Sequence, residues 1–134
     1  AMDFIFIENE NSNVNFFGGN WGAQIGSYIL SIENRFSSAV LLRPSLFSYQ
    51  SNPDFFIEKF VASIKTPVLC LITPNIFNSV EGTQVPYYKL LKNPKKMFFV
   101  DIKNFSMSKN KVKKEITNWL NFYSNNDTDL VVNF

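Results

Sequence analysis

The stretch FFGGNWGAQIG, residues 16–26, predicts a sharp turn from a buried strand into a helix. Two aromatic residues end an apolar run, glycines flank Asn20, and an apolar pattern of helical spacing starts at Trp21. Glycine has no Cβ, so glycines at such a turn allow a helix to pack closely on a strand. The stretch therefore predicts one strand–helix unit, which is the building block of α/β proteins.

Three more apolar runs, each followed by a helical pattern, repeat this unit along the chain. The runs are apolar throughout rather than alternating, which favours a mostly parallel sheet covered on both faces. Right-handed crossovers between parallel strands then predict a three-layer α/β/α sandwich. The predicted strands are 14–18, 37–44, 67–73 and 95–102, and the predicted helices are 21–34, 55–64, 84–92 and 109–123.

The length and composition are those of one folded domain. The chain has 134 residues, of which 46% are hydrophobic and 16% are aromatic, so it can bury a sizeable core. We expect a single domain over residues 1–134. Residues 1–13 are predicted to form a leader strand or hairpin around FIFI, and residues 124–134 a polar tail.

The absence of histidine excludes several kinds of chemistry. Histidine is the commonest general base and the commonest zinc ligand in proteins, and this chain has none, with one cysteine. No metal and no cofactor are therefore expected. Cys70 lies within an apolar strand pattern, which indicates a packing residue rather than a reactive thiol.

Cysteine usage and hydropathy bear on the compartment. A single cysteine cannot form an intramolecular disulfide and fits a reducing compartment. No apolar run reaches the roughly 18 residues of a membrane span, and no leader peptide is visible. These features predict a cytoplasmic protein without a membrane span.

The positive charge is concentrated in one part of the chain. The net charge is only +2, yet nine of the 13 basic residues are lysines between Lys89 and Lys114. Such a run is usually a solvated face, and the alternative is a patch for an acidic partner or phosphates. Single-stranded nucleic acid would need exposed aromatic residues nearby. Phe98 and Phe99 are predicted to be core residues, so nucleic-acid binding is not expected.

Four segments in a fixed order carry a family resemblance. FFGGNWGAQIGSYIL looks like a nucleophile elbow with its helix, and IKTPVLCLITPN like the strand that ends at an acidic residue. FFVDIKNF looks like a last strand with its histidine turn, and a helix containing WLNFY follows it. From about residue 14 to 123 the chain resembles the C-terminal half of an α/β-hydrolase, of the dienelactone-hydrolase-like or acyl-peptidase-like kind.

The resemblance places asparagine at each of the three triad positions. Asn20 falls at the nucleophile, Asn75 at the acid and Asn104 at the histidine. An amide cannot act as a serine-like nucleophile, as a general base or as the charged group that orients a base. The chain contains 17 asparagines, and one base change separates an asparagine codon from codons for Ser, Asp and His. Drift after loss of function would explain all three positions.

Three functions remain open at this point. The first is a catalytically inactive hydrolase-like domain with a binding or scaffolding role. The second is an esterase- or peptidase-type hydrolase completed by sequence or a partner chain that is not present here. The third is a small-molecule or anion-binding module that uses the cleft above Gly19, Asn75 and Asn104, where the helix N-terminus at Gly19, Asn20 and Trp21 supplies N–H groups.

The resemblance also implies an uncovered sheet edge. In the full fold the sheet continues beyond the first matched strand, so Phe16–Gly18 would not lie at an edge. Here that side must be covered by the leader, by a second copy or by another segment, because an open apolar edge promotes aggregation. A protein partner or a homo-oligomer is therefore expected at the sheet edge near Phe16–Gly18.

Overall fold

The described part of the chain forms one mixed sheet with helices on both faces. The structure is a computed structural model that describes residues 4–10, 13–46, 57–74, 79–101 and 105–123. The predicted tail, 124–134, lies outside these ranges. The elements in chain order are β1 Phe4–Glu10, β2 Asn13–Gly19, α1 Trp21–Ile32, β3 Ser38–Leu42, α2 Ile57–Val61, β4 Val68–Ile72, a π-helical turn Val80–Gln84, α3 Val85–Leu90, β5 Lys95–Phe99 and α4 Phe105–Phe122.

The sheet confirms the predicted fold class. The five described strands lie side by side in the order in which they occur in the sequence. Strands β2, β3, β4 and β5 are parallel to one another, and β1 is antiparallel to β2. A parallel pair needs a crossover, and the helices between these strands supply it.

Strand β1 covers the edge at which an interface is predicted. In the β1–β2 hairpin Phe16 is paired with Ile7, Phe17 with Phe6 and Gly18 with Ile5. Of the three coverings predicted for this edge, the structure shows the leader, so Phe16–Gly18 is not open to a partner strand, and the expected partner or homo-oligomer stays a prediction. Among the described strands, the outer sides of β1 and β5 are the edges of the sheet.

Side chains of the central strands alternate between two cores. In β4, Val68, Cys70 and Ile72 face the core beneath α1, α2 and α3, and Leu69 and Leu71 face the core beneath α4. All five are buried, as predicted for Cys70. Burial also raises the pKa of the Cys70 thiol well above its usual value near 9.0, so the group stays neutral at physiological pH.

Helix α1 packs on the hairpin through its small residues. Its buried positions are Gly22, Ala23, Gly26, Ser27 and Leu30. A Cβ on Gly22 would collide with the main-chain carbonyl of Phe4, and a Cβ on Gly18 would lie 2.7 Å from the carbonyl oxygen of Gly22. These glycines therefore set the short distance between α1 and the sheet.

Two apolar predictions differ from the structure. The apolar residues at helical spacing in α1 do not all face the sheet, because Ile25 and Ile32 lie on the outer side of the helix and are exposed. Phe99, predicted to be a core residue, is also exposed and Phe98 is only partly buried. Phe99 lies on an edge strand beyond α3, where no helix of the described chain covers it.

A buried hydroxyl pair connects α1 with α3. The Ser27 hydroxyl donates to the Ala23 carbonyl at 2.7 Å, and its oxygen lies 2.5 Å from the Tyr87 hydroxyl oxygen. The hydrogen of Ser27 is used by Ala23, so Tyr87 donates in this pair. Burial raises the pKa of Tyr87 far above its usual value, because a phenolate would be desolvated there.

We predict that Gly22→Ala destabilises the protein. Alanine gains about 1 kcal/mol in helix propensity, but its methyl group would collide with the backbone of β1, and overpacking typically costs about 1–3 kcal/mol. Because the collision is with main chain, which cannot rotate away, the cost should lie in the upper half of that range, about 2–3 kcal/mol, and urea unfolding should give a net loss of about 1–2 kcal/mol in the free energy of unfolding. Ser31→Ala, on the same helix away from the sheet, is the matched control. A Gly22→Ala protein as stable as the parent would contradict the close approach.

Candidate functional site

The turn between β2 and α1 has an unusual backbone conformation at Asn20. Its φ is 55° and its ψ is −113°, and no glycine in the described chain has a positive φ. This combination lies outside the main regions allowed for residues with a Cβ. Such strain persists only where surrounding contacts hold it, and it clusters at functional sites.

Main-chain hydrogen bonds hold this conformation from both sides. The Asn20 N–H donates to the Leu42 carbonyl at 3.0 Å, which continues the β2–β3 pairing past the end of β2. The Asn20 carbonyl accepts from the N–H groups of Ala23 at 3.1 Å and Gln24 at 3.4 Å, which starts α1. One residue thus ends a strand and begins a helix.

Arg43 lies beside this turn and binds the Asn20 side chain. It follows β3 directly and also has a positive φ, of 54°. Its Nη1 donates to Asn20 Oδ1 at 3.0 Å, and its own N–H donates to the Leu71 carbonyl at 2.9 Å. The two residues with strained backbones are therefore neighbours at the carboxyl ends of adjacent parallel strands.

The Arg43 guanidinium is a partly buried cation without a carboxylate partner in the described ranges. Desolvation lowers its pKa from the usual value of 12.5, although an arginine remains protonated at neutral pH. Its Nε is buried and has no hydrogen-bond partner among the described residues. The positively charged Arg43 guanidinium therefore lies next to Asn20, and one of its N–H groups makes no hydrogen bond to the described residues.

Side chains close the neighbouring strand ends. The Gln84 amide brackets Thr73 just after β4: Nε2 donates to its carbonyl at 2.7 Å and Oε1 accepts from its N–H at 3.2 Å. Gln24 of α1 donates from Nε2 to Ser45 Oγ at 3.2 Å. The turn that carries Gln84 is thereby attached to the carboxyl end of β4, on the side of the sheet where α/β proteins place their ligands.

The structure places three predicted site residues at the turn. Gly19, Asn20 and Trp21 are consecutive, but the Phe4 ring occupies the space where a Gly19 side chain would lie. Trp21 is exposed on the outer side of α1. Asn75 and Asn104 lie outside the described residues, so their predicted approach to Asn20 remains a prediction.

Sequence reasoning missed Arg43. The available signal was a charged residue between an apolar strand and Pro44, at a place where the strand should end. That signal indicates only a strand end. The contact with Asn20 spans 23 positions in the sequence, and no local pattern encodes it.

The described residues have neither a cluster of metal-binding side chains nor a membrane-spanning helix. They contain no group of three or more His, Cys, Asp or Glu side chains that could hold a metal ion. No helix in the described ranges is long and apolar enough to cross a membrane.

Comparison with known proteins identifies a fold but no family. No family profile and no curated protein sequence matches the chain. Structures of a cold-adapted esterase from an Arctic intertidal metagenomic library, one native and one zinc-bound, each match with a TM-score of 0.53 and 15% identity. Each match covers 62% of this chain and 36% of the esterase chain. At this identity the likeness shows a hydrolase-like fold alone.

We predict that a branched residue at position 20 is costly because of the backbone. Asn20→Val and Asn20→Gly both remove the hydrogen bond to Arg43. The positive φ is costly for valine, which has a branched Cβ, and not for glycine, which has none. Asn20→Val should be less stable than Asn20→Gly by about 1–3 kcal/mol in thermal or urea unfolding.

The same pair of changes at Asn34 is the control, because Asn34 is exposed and has no positive φ. The difference between valine and glycine at that position should be absent or reversed. Equal stability of the two variants at position 20 would contradict the strained turn.

Proposed function

We propose that this chain is an α/β-hydrolase-like domain that has no hydrolytic activity of its own and serves a binding or scaffolding role. The observation that carries the proposal is the turn at Asn20. Hydrolases of this fold place their nucleophile on a strained strand-to-helix turn. Here the strained turn carries an amide, which is a poor nucleophile because its nitrogen lone pair is delocalised into the carbonyl group.

The surroundings of Asn20 also favour an inactive site. Its Oδ1 accepts a hydrogen bond from Arg43, so the side chain is held by a cation rather than by a base. A general base must lie within hydrogen-bond reach of the nucleophile and have a suitable pKa. Arginine is protonated at neutral pH, and the chain has no histidine.

We predict that the purified chain does not accelerate the hydrolysis of p-nitrophenyl acetate or butyrate above the rate in buffer. Asn20→Ala should give the same background rate. Asn20→Ser should also be inactive, because a serine at this turn would still have no base. Initial rates measured by absorbance at neutral pH test all three.

Turnover by the parent that Asn20→Ala abolishes would overturn the proposal. Turnover that appears only when another chain or a longer form of the protein is added would favour the second candidate, a hydrolase completed elsewhere. That candidate gains weight from the coverage of only 36% of the esterase chain.

A second binding role, for a small anion, is favoured by Arg43. Its guanidinium is partly buried, has no carboxylate partner among the described residues and lies beside the N-terminus of α1. Arginine binds carboxylates and phosphates through paired N–H donors, and the positive end of a helix dipole adds to this. We propose a carboxylate or phosphate as the ligand at this position.

We predict that inorganic phosphate or acetate perturbs the amide NMR signals of Trp21 and Gly22 in the parent. Arg43→Gln should weaken this binding about tenfold or more, as expected for a lost charge-assisted contact. Arg35→Gln is the matched control, since Arg35 is exposed and paired with Glu33 at 2.8 Å. Shifts that Arg43→Gln leaves unchanged would contradict an anion site at Arg43.

The predicted compartment remains a proposal that rests on cysteine. The single cysteine is buried in β4, which fits the reducing, cytoplasmic environment expected from composition.

A further inference from the structure

The outer side of α1 carries a row of large apolar side chains. Trp21 is 46% exposed, Ile25 39%, Tyr28 50% and Ile32 70%. They follow one another at intervals of four, three and four residues, so they lie along one side of the helix. The buried glycines and alanine lie on the other side. We call these four residues the α1 stripe.

A helix that is apolar on both sides is usually covered on both sides. Trp21–Ile32 contains no charged residue, and the first charges after it, Glu33 and Arg35, are paired with each other. Few charged residues and the presence of Trp and Tyr are typical of interface cores rather than of solvated helix faces. The Tyr28 side chain is also held in place within the single chain, because its ring packs edge-on against the Phe60 ring, with 5.1 Å between the ring centroids.

The order of residues in the α1 stripe fits a second copy of the same helix. When two copies of α1 run antiparallel about a two-fold axis, Trp21 lies opposite Ile32 of the second copy. The same operation places Ile25 opposite Tyr28. Every member of the stripe thus meets a large apolar partner, which is the self-complementarity that a two-fold interface requires. The intervals are also close to the 3.5-residue repeat of packed helix pairs.

The exposed area is sufficient for such a contact. Ile5 and Ile7 of β1 extend the apolar surface beside the first turns of α1, and they are 40% and 59% exposed. Together with the α1 stripe they leave on the order of 600 Å² of side-chain surface uncovered on each copy. A two-fold contact that covered all of this surface on both copies would bury about 1,200 Å², the lower limit of stable, specific interfaces.

We propose that the protein forms a homodimer in which the α1 helices of two copies pack antiparallel through the α1 stripe, flanked by Ile5 and Ile7. This inference goes beyond the function proposed for the turn at Asn20. Its test measures molecular mass, whereas the hydrolysis assay measures turnover, so each proposal can fail alone.

The first experiment is sedimentation equilibrium of the chain over a range of concentrations up to about 100 µM, where mass action favours the dimer. The parent should sediment as a dimer. Ile25→Glu combined with Ile32→Glu should raise the dissociation constant about 100-fold or more, because four carboxylates would be desolvated at the seam. Both positions are exposed in the single chain, so circular dichroism and the unfolding midpoint should stay near those of the parent.

Phe122→Glu is the matched control, since Phe122 is 78% exposed on α4 and lies away from the α1 stripe. It should remain dimeric. A monomeric parent would overturn the proposal and indicate that another segment or another protein covers the stripe. A dimer that survives the double glutamate change would also overturn it and direct attention to the β1 edge.

A cross-linking experiment tests the antiparallel arrangement. Trp21→Cys combined with Ile32→Cys should form a covalent dimer under mild oxidation, because the two positions face each other across the axis. Ile32→Cys alone should not, since its two copies would lie about 16 Å apart at opposite ends of the seam. The native Cys70 is buried and stays out of the reaction. Efficient cross-linking of Ile32→Cys alone would contradict the antiparallel pairing.

Discussion

The structure depends on the contact between helix α1 and the β1–β2 hairpin at Gly22. The backbone of α1 lies against the backbone of Phe4, at a distance that leaves no room for a Cβ. The same contact covers Phe16, which is fully buried, and sets the path of the chain through the turn at Asn20. Because the hairpin closes one side of the parallel strands, β1 rather than β2 is the outermost described strand on that side of the sheet.

This close packing explains how the strained turn is held by contacts of the fold itself. Asn20 is held by hydrogen bonds to β3 and to the first turn of α1, so its positive φ is imposed by contacts that belong to the fold. The neighbouring Arg43 has a positive φ as well and binds the Asn20 side chain. The geometry that hydrolases use to expose a nucleophile is therefore compatible with other uses, and a partly buried cation favours recognition of an anion.

Helix α1 has apolar residues on two opposite sides. Small residues on its inner side let the backbone approach the sheet closely. This short distance leaves little room for large side chains between the helix and the sheet. Leu30 is buried, but the four large apolar residues of the α1 stripe lie on the outer side, next to Ile5 and Ile7 of β1. This exposed apolar surface is the physical basis for the dimer interface that we propose.

The amino-acid sequence by itself determined the order of strands and helices, the parallel arrangement, the burial of Cys70 and the lack of a histidine base. These follow from composition and from local periodicity, which need no contact between distant residues. Of the candidate site, it predicted the sharp turn at Asn20 but not Arg43, and it left open whether the leader, a second copy or another segment covers the side of β2 at Phe16–Gly18. Only the tertiary structure decided which side of α1 is buried, that the leader pairs with β2 and that Arg43 binds Asn20, because packing distances and strand pairing depend on segments that are brought together by folding.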